Sequence, residues 1–206
     1  AVARKAIQAA RNMLDLGFQD GMEYAKKRDN VIYITTGSKN LDGLLGGKGV
    51  EGRAITEAFG AYGSGKTQVG LSLAVNVQLP IEQGGANGKA VFIDTEGGFS
   101  VDRVKQIAGQ ENYREILKNI LLLEPQSFGE QKKLFLRLAE QVKKGNISLI
   151  VVDGMAMHYR LELGAVKTKE TSPGVAKPDE EIRGINRKLA WQMKLLSEIS
   201  RKQKIP

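Results

Sequence analysis

Gly60-Ala61-Tyr62-Gly63-Ser64-Gly65-Lys66-Thr67 satisfies G-x-x-x-x-G-K-[ST] at every fixed position. Glycines at these places let successive backbone N–H groups turn inward around phosphate oxygens, and a helix beginning at the lysine adds the positive end of its dipole. In such a loop Lys66 reaches the β- and γ-phosphates and the Thr67 hydroxyl is a magnesium ligand. A chain with 24 glycines can match the pattern by chance. The flanks argue against chance. Ala54–Phe59 reads as a strand leading into the loop, and Lys66–Leu79 reads as a helix with Val69, Leu73 and Val77 on one face. Strand, glycine-rich loop and helix in that order predict a nucleotide-binding α/β fold.

A magnesium nucleotide site also needs carboxylates at the tips of neighbouring strands. Leu149-Ile150-Val151-Val152-Asp153 is an apolar run ending in an acid, which places Asp153 to hold Mg²⁺. Val91-Phe92-Ile93-Asp94-Thr95-Glu96 ends a second strand. Glu96 lies just past its tip, where a base can orient water for in-line attack on a γ-phosphate. Spacing alone equally allows a turn carboxylate with no catalytic task.

Outward from these strands the elements alternate. Val31–Ile34, Lys89–Asp94, Ile120–Leu123 and Ser148–Asp153 read as strands. Ser38 caps a short helix to Leu45. Val101–Gly109, Arg114–Asn119, Phe128–Lys144 and Glu180–Lys202 read as helices, and residues 161–178 as a polar irregular segment. Continuous apolar strands between helices predict a mainly parallel sheet covered on both faces. Residues 1–16 read as a helix stopped by Gly17, followed by a short charged helix ending near Arg28. Residues 1–30 are therefore read as a linker and residues 31–206 as the core.

The composition bounds the partners. Cysteine is absent, which removes disulfides and thiolate metal sites. No apolar run has the length of a membrane span and the N-terminus lacks a signal-peptide core, which points to the cytoplasm and no membrane partner. The formal net charge of +8 suits a polyanion. The chain opens without Met and stops at Pro206, so the core is read as truncated at its C-terminus.

Together, the loop followed by Gln68, the segment Ile93-Asp94-Thr95-Glu96-Gly97 and Val151-Val152-Asp153 resemble the ATPase core of the RecA-type recombinase family, and most closely its archaeal RadA branch. Thr36-Gly37-Ser38, Leu41-Asp42, Leu44-Leu45-Gly46-Gly47, Ala54-Ile55-Thr56-Glu57 and Val77-Gln78-Leu79-Pro80 occur in family order. The resemblance implies a RecA-like core with ATP and Mg²⁺ as cofactors, DNA-dependent ATP hydrolysis, and filaments on single-stranded DNA that pair it with double-stranded DNA. In an archaeal cell it implies association with the nucleoid. It makes Glu96 the catalytic glutamate and places Arg103 over the adenine, where a guanidinium can stack on the ring. A solvated helix charge is the other reading of Arg103.

Phe18-Gln19-Asp20-Gly21 is similar to the family's F-x-x-A linker motif, with Gly21 in the Ala position. The resemblance implies that Phe18 plugs a neighbouring subunit; packing on its own domain is the alternative. His158-Tyr159-Arg160-Leu161-Glu162 resembles the entry to the first DNA-binding loop. Residues 160–206 hold eleven Lys or Arg against six Asp or Glu, and Arg160, Lys167 and Lys169 are the candidate phosphate contacts. His158 is read as structural, and Trp191, Leu195, Leu196 and Ile199 as core. By the resemblance, the family's N-terminal helical domain and second DNA loop are expected to be absent from this stretch. Lys48 is an insertion in the usual glycine turn, and Ser100-Val101-Asp102 departs from the family's F-R-P-E-R stretch. Glu96–Ser100 is closer to the smaller paralogue RadB, which implies an alternative role as a recombination mediator with a regulatory ATP site.

Overall fold

A computed structural model of the chain describes Ala3, residues 20–169 and residues 178–206. The chain forms two compact units, Ala1–Val31 and Ile32–Pro206. In the first, helix α1 spans Gly21–Arg28. It starts where the Asp20 carboxylate accepts the Glu23 N–H at 2.8 Å, a side-chain N-cap that satisfies one orphan donor. The expected helix over residues 1–16 and Phe18 lie outside the described residues.

The second unit is built on a parallel three-stranded sheet of β3 (Lys89–Asp94), β4 (Ile120–Leu123) and β5 (Ile147–Asp153), in the order β4-β3-β5. The register pairs Ala90 with Ile120 and Asp94 with Asp153, so β3 and β5 end level with one another. Alternate side chains serve opposite faces. Ala90, Phe92 and Leu149 pack with residues of α3 (Lys66–Asn76) and α4 (Val101–Ala108). Val91 and Ile93 pack with residues of α6 (Phe128–Lys144) and α8 (Pro178–Gln203). Helices thus cover both faces, as the continuous apolar strands require. Phe92 and Phe135 are fully buried on opposite sides, and truncating either to Ala costs about 3–5 kcal/mol.

A separate antiparallel pair joins β1 (Tyr33–Ile34) to β2 (Val50–Glu51). Between them runs α2 (Lys39–Leu44), capped by Ser38 as expected. Its Asp42 carboxylate accepts from the Thr35 hydroxyl at 2.5 Å, the Thr36 hydroxyl at 2.6 Å and the Thr36 N–H at 2.9 Å. Burial by itself raises the Asp42 pKa, but the Thr35 and Thr36 hydrogen bonds outweigh it and hold it below the ordinary value. Lys48 sits with its ammonium 5.3 Å from the Tyr33 ring centroid.

Several expectations are corrected. Ala54–Phe59 forms no strand: among the described residues no backbone–backbone hydrogen bond engages it, and a strand exists only where a neighbour supplies a ladder. Helix α3 ends at Asn76, three residues early. The N–H groups of Gln78 and Leu79 bond three residues back, a tightening that precedes Pro80, whose ring disfavours helix at the residue before it. Strand β4 is only half-buried, because Leu121 and Leu122 lie exposed at the sheet edge.

Part of the segment read as irregular, 161–178, is helical. Helix α7 spans Met157–Lys169. Its Val166 is buried with Phe128 and Ile185, the Tyr159 hydroxyl donates to Asn186 at 2.9 Å, and Glu162 pairs with Lys188 at 2.5 Å. Packing against α8 overrides the Gly164 and Thr168 that weaken the helix by propensity. On α8, Leu196 and Ile199 are core, whereas Trp191 is half-buried beneath the Lys132 ammonium at 5.2 Å. Among the described residues no helix is long and apolar enough to cross a membrane.

Candidate nucleotide site

The phosphate loop leaves the unpaired 54–59 segment and closes at Gly65, the N-cap of α3. Gly63 and Gly65 have φ of 76° and 95°, left-handed values that a side chain resists. Lys66 folds back over the loop. Its ammonium donates to the carbonyls of Gly60 at 3.0 Å and Ala61 at 2.9 Å, and lies 3.4 Å from the Ser64 hydroxyl. Residues Gly60 to Ser64 are exposed, with Tyr62 fully so, and the loop faces outward.

Thr67, one residue into α3, donates its hydroxyl to Asp153 Oδ2 at 2.8 Å. This contact joins the helix behind the loop to the tip of β5. A Cβ on Gly98 would stand 3.1 Å from Thr67 Cγ2 and 3.2 Å from Asp153 Oδ2, so the β3 turn also closes on the pair. Two hard oxygen donors converging at the mouth of a phosphate loop match Mg²⁺, which takes one or two protein ligands and completes its shell with phosphate and water. Among the described residues there is no cluster of three His, Cys, Asp or Glu side chains of the kind that cages a metal without substrate.

Glu96 is exposed beyond the tip of β3. Its backbone is fixed from below by Asp94, whose side chain is buried. Asp94 Oδ1 accepts the N–H groups of Glu96, Gly97 and Gly98 at 3.1, 2.8 and 3.2 Å, and Oδ2 accepts that of Phe99 at 2.8 Å. Thr95 ties the same turn to β5, donating its hydroxyl to the Gly154 carbonyl at 2.8 Å. Gly154, with φ of 86°, lies against Glu96: a Cβ there would sit 2.9 Å from Glu96 Oε1.

Arg103 and Gln68 meet. The Arg103 Nε donates to Gln68 Oε1 at 2.6 Å, and its Nη1 donates to Gln106 at 2.8 Å. The structure therefore assembles Lys66, Thr67, Asp153 and Glu96 at the strand tips and sets Gln68 with Arg103 on the adjoining helices. Arg160 lies exposed on α7, and Lys167 and Lys169 fall in that helix's last turn, not in a loop. Gly21 is the first residue of α1, and a Cβ there meets nothing within 4 Å. His158 is buried with Nε2 2.7 Å from the Pro125 carbonyl, a structural contact as expected.

Sequence reasoning missed Asp94, Thr95 and Gly154 as supports of the site. The one available signal was a second acid ending an apolar strand, two residues before Glu96.

A protein-family model described as Rad51 matches residues 27–169, well over half of the chain. The chain belongs to the Rad51 family. Its core is thus RecA-like, as that family implies. The chain is 44% identical over 163 residues to the DNA repair and recombination protein RadA of Metallosphaera sedula, covering 78% of this chain and 50% of that protein. RadA of Aeropyrum pernix is 44% identical over 162 residues, with coverages of 78% and 50%. RadA of Ignicoccus hospitalis is 44% identical over 167 residues, with coverages of 78% and 51%. This Rad51-family chain spans about half the length of the curated relatives it matches.

Proposed function

We propose that this chain is the ATP-binding and ATP-hydrolysing core of a DNA recombinase that assembles on single-stranded DNA and promotes pairing with a homologous duplex. The observation that carries the reading is the Thr67–Asp153 contact behind a complete phosphate loop, in a chain whose relatives are DNA repair and recombination proteins.

The loop N–H groups hold the phosphates and Lys66 moves from its own carbonyls to the β- and γ-oxygens. Thr67 and Asp153 hold Mg²⁺, which supplies neutralisation of the charge on the transferred phosphoryl group. Glu96 orients a water and accepts its proton as the water oxygen bonds to the γ-phosphorus and the bond to the β-bridging oxygen breaks. Arg103, steadied by Gln68, stacks over the base.

Arg160, Lys167 and Lys169 neutralise DNA phosphates from the end of the core nearest α7, without reading sequence. Phe18 and Gly21, at the Phe and Ala positions of the linker motif, anchor the linker of residues 1–30 on a neighbouring subunit and so build a homo-oligomer. The protein works in the cytoplasm and, in an archaeal cell, on the nucleoid.

The test is ATP hydrolysis by the full-length protein with and without single-stranded DNA at low salt. A pronounced rise with DNA is expected; an unchanged rate would sink the reading. Phe18→Glu is expected to reduce assembly size, and an unaltered size distribution would remove the linker from the account.

A further inference from the structure

Two glutamines interrupt the core on the side of the sheet away from α3. Helix α6 turns Phe128, Gln131, Phe135, Leu138 and Val142 inward, and all are buried. Helix α8 carries Ile185, Leu189, Gln192, Leu196 and Ile199 at the same three-and-four spacing. Gln131 and Gln192 are both completely buried.

Their placement is matched. Phe128 packs in one apolar cluster with Val166, Ile185 and Leu189, whereas Phe135 packs in another with Leu196 and Ile199. Each glutamine lies between those clusters along its own helix, so the two helices run the same way past both. Gln131 also stands where the chain leaves β5. Gln131 Nε2 donates to the Met155 carbonyl at 3.3 Å, two residues past Asp153. Gln131 Oε1 and both polar atoms of Gln192 have no hydrogen-bond partner among the described residues.

A buried amide with unmet donors and acceptors destabilises a core that Met or Leu would fill better. Residues that break the packing rule without a local gain point to function. What Gln131 touches is the turn at residues 154–156, which connects the Asp153 end of β5 to α7. Helices α6 and α8 both pack on α7.

We propose that Gln131 and Gln192 are positioning residues that set the 154–156 turn, so that Asp153 and the basic helix α7 shift as one body. Gln131 does so through the Met155 carbonyl. Gln192 does so from α8, offering the complementary donor and acceptor when the turn moves. The assignment rests on the proposed DNA-dependent ATPase, because it says how occupancy of α7 by DNA reaches the acid at the nucleotide.

The experiment uses the full-length protein with Gln131→Met and, separately, Gln192→Met. Methionine keeps the side chain's length and removes the unmet polar atoms. The expected result is a melting temperature equal to or above the parent's, DNA-free ATP hydrolysis within about twofold, and stimulation by single-stranded DNA reduced about fivefold, the range for residues that carry coupling between sites. Full stimulation in a folded variant overturns the proposal. So does a fall in melting temperature that tracks the loss of activity, which marks a packing role only. Should Gln131→Met fail to fold, Gln192→Met, which breaks no observed hydrogen bond, decides by the same two readouts. A parent protein that shows no stimulation removes the proposed function, and this inference with it; a stimulated parent with equally stimulated variants removes this inference alone.

Discussion

The Thr67 hydroxyl lies 2.8 Å from Asp153 Oδ2, although 86 positions separate the two residues in the chain. The contact sets the first turn of α3 against the end of β5 and fixes two oxygen donors at one point. Thr67→Val preserves shape and removes the hydroxyl. The magnesium dependence of ATP binding is expected to weaken by about tenfold or more, as when a ligand or its immediate support is lost. Nucleotide titrations over a range of Mg²⁺ measure it, and an unshifted dependence would take Thr67 out of the metal site.

Glu96→Gln keeps the length of the side chain and its backbone bond to Asp94, but loses the base. Nucleotide affinity should remain within about twofold while turnover falls by about 10²–10⁴, the span of general-base contributions. Full turnover in this variant would show that another group activates the water.

Gly154→Ala tests the geometry behind Glu96. The residue has φ of 86°, and the added methyl would stand 2.8 Å from Glu96 Cγ. The left-handed conformation alone costs a side chain about 1–2 kcal/mol. Denaturant unfolding should register that loss, and turnover should fall more than nucleotide affinity does, because Glu96 is displaced. Equal turnover would mean that the turn yields without moving the acid.

Asp42 gives a pH signature. Its folded pKa lies below the ordinary value because the Thr35 and Thr36 hydrogen bonds outweigh burial. A depressed pKa contributes stability that is present in full above the unfolded value, about 3.9 for Asp, and is lost as the pH falls through the folded value. Asp42→Asn should therefore melt below the parent at pH 7, and the gap should close on acidification. A gap independent of pH would mean that packing, not the carboxylate, sets the effect.

Much of this was legible in the residues. The phosphate loop, the acids ending β3 and β5, the Ser38 cap and the extent of α6 all follow from local rules of spacing and capping. What escaped depends on neighbours. Ala54–Phe59 has a strand's composition but no ladder partner, and α7 forms because Val166, Tyr159 and Glu162 find contacts on α8. The acid ending β3 is visible in the sequence, but not that Asp94 turns inward to gather four N–H groups while Glu96 turns outward. Gln131 and Gln192 were invisible for a related reason: polar residues on a predicted helix are assigned to solvent until the opposing helix is known.

The four N–H groups held by Asp94 come from the backbone, not from side chains. The perch of Glu96 thus depends on that carboxylate and on the glycines that let the chain wrap it: Gly97 has φ of 72°, and a Cβ on Gly98 would press on Thr67 and Asp153. A related chain that keeps Glu96 but has lost the buried aspartate would therefore carry the acid without its seat.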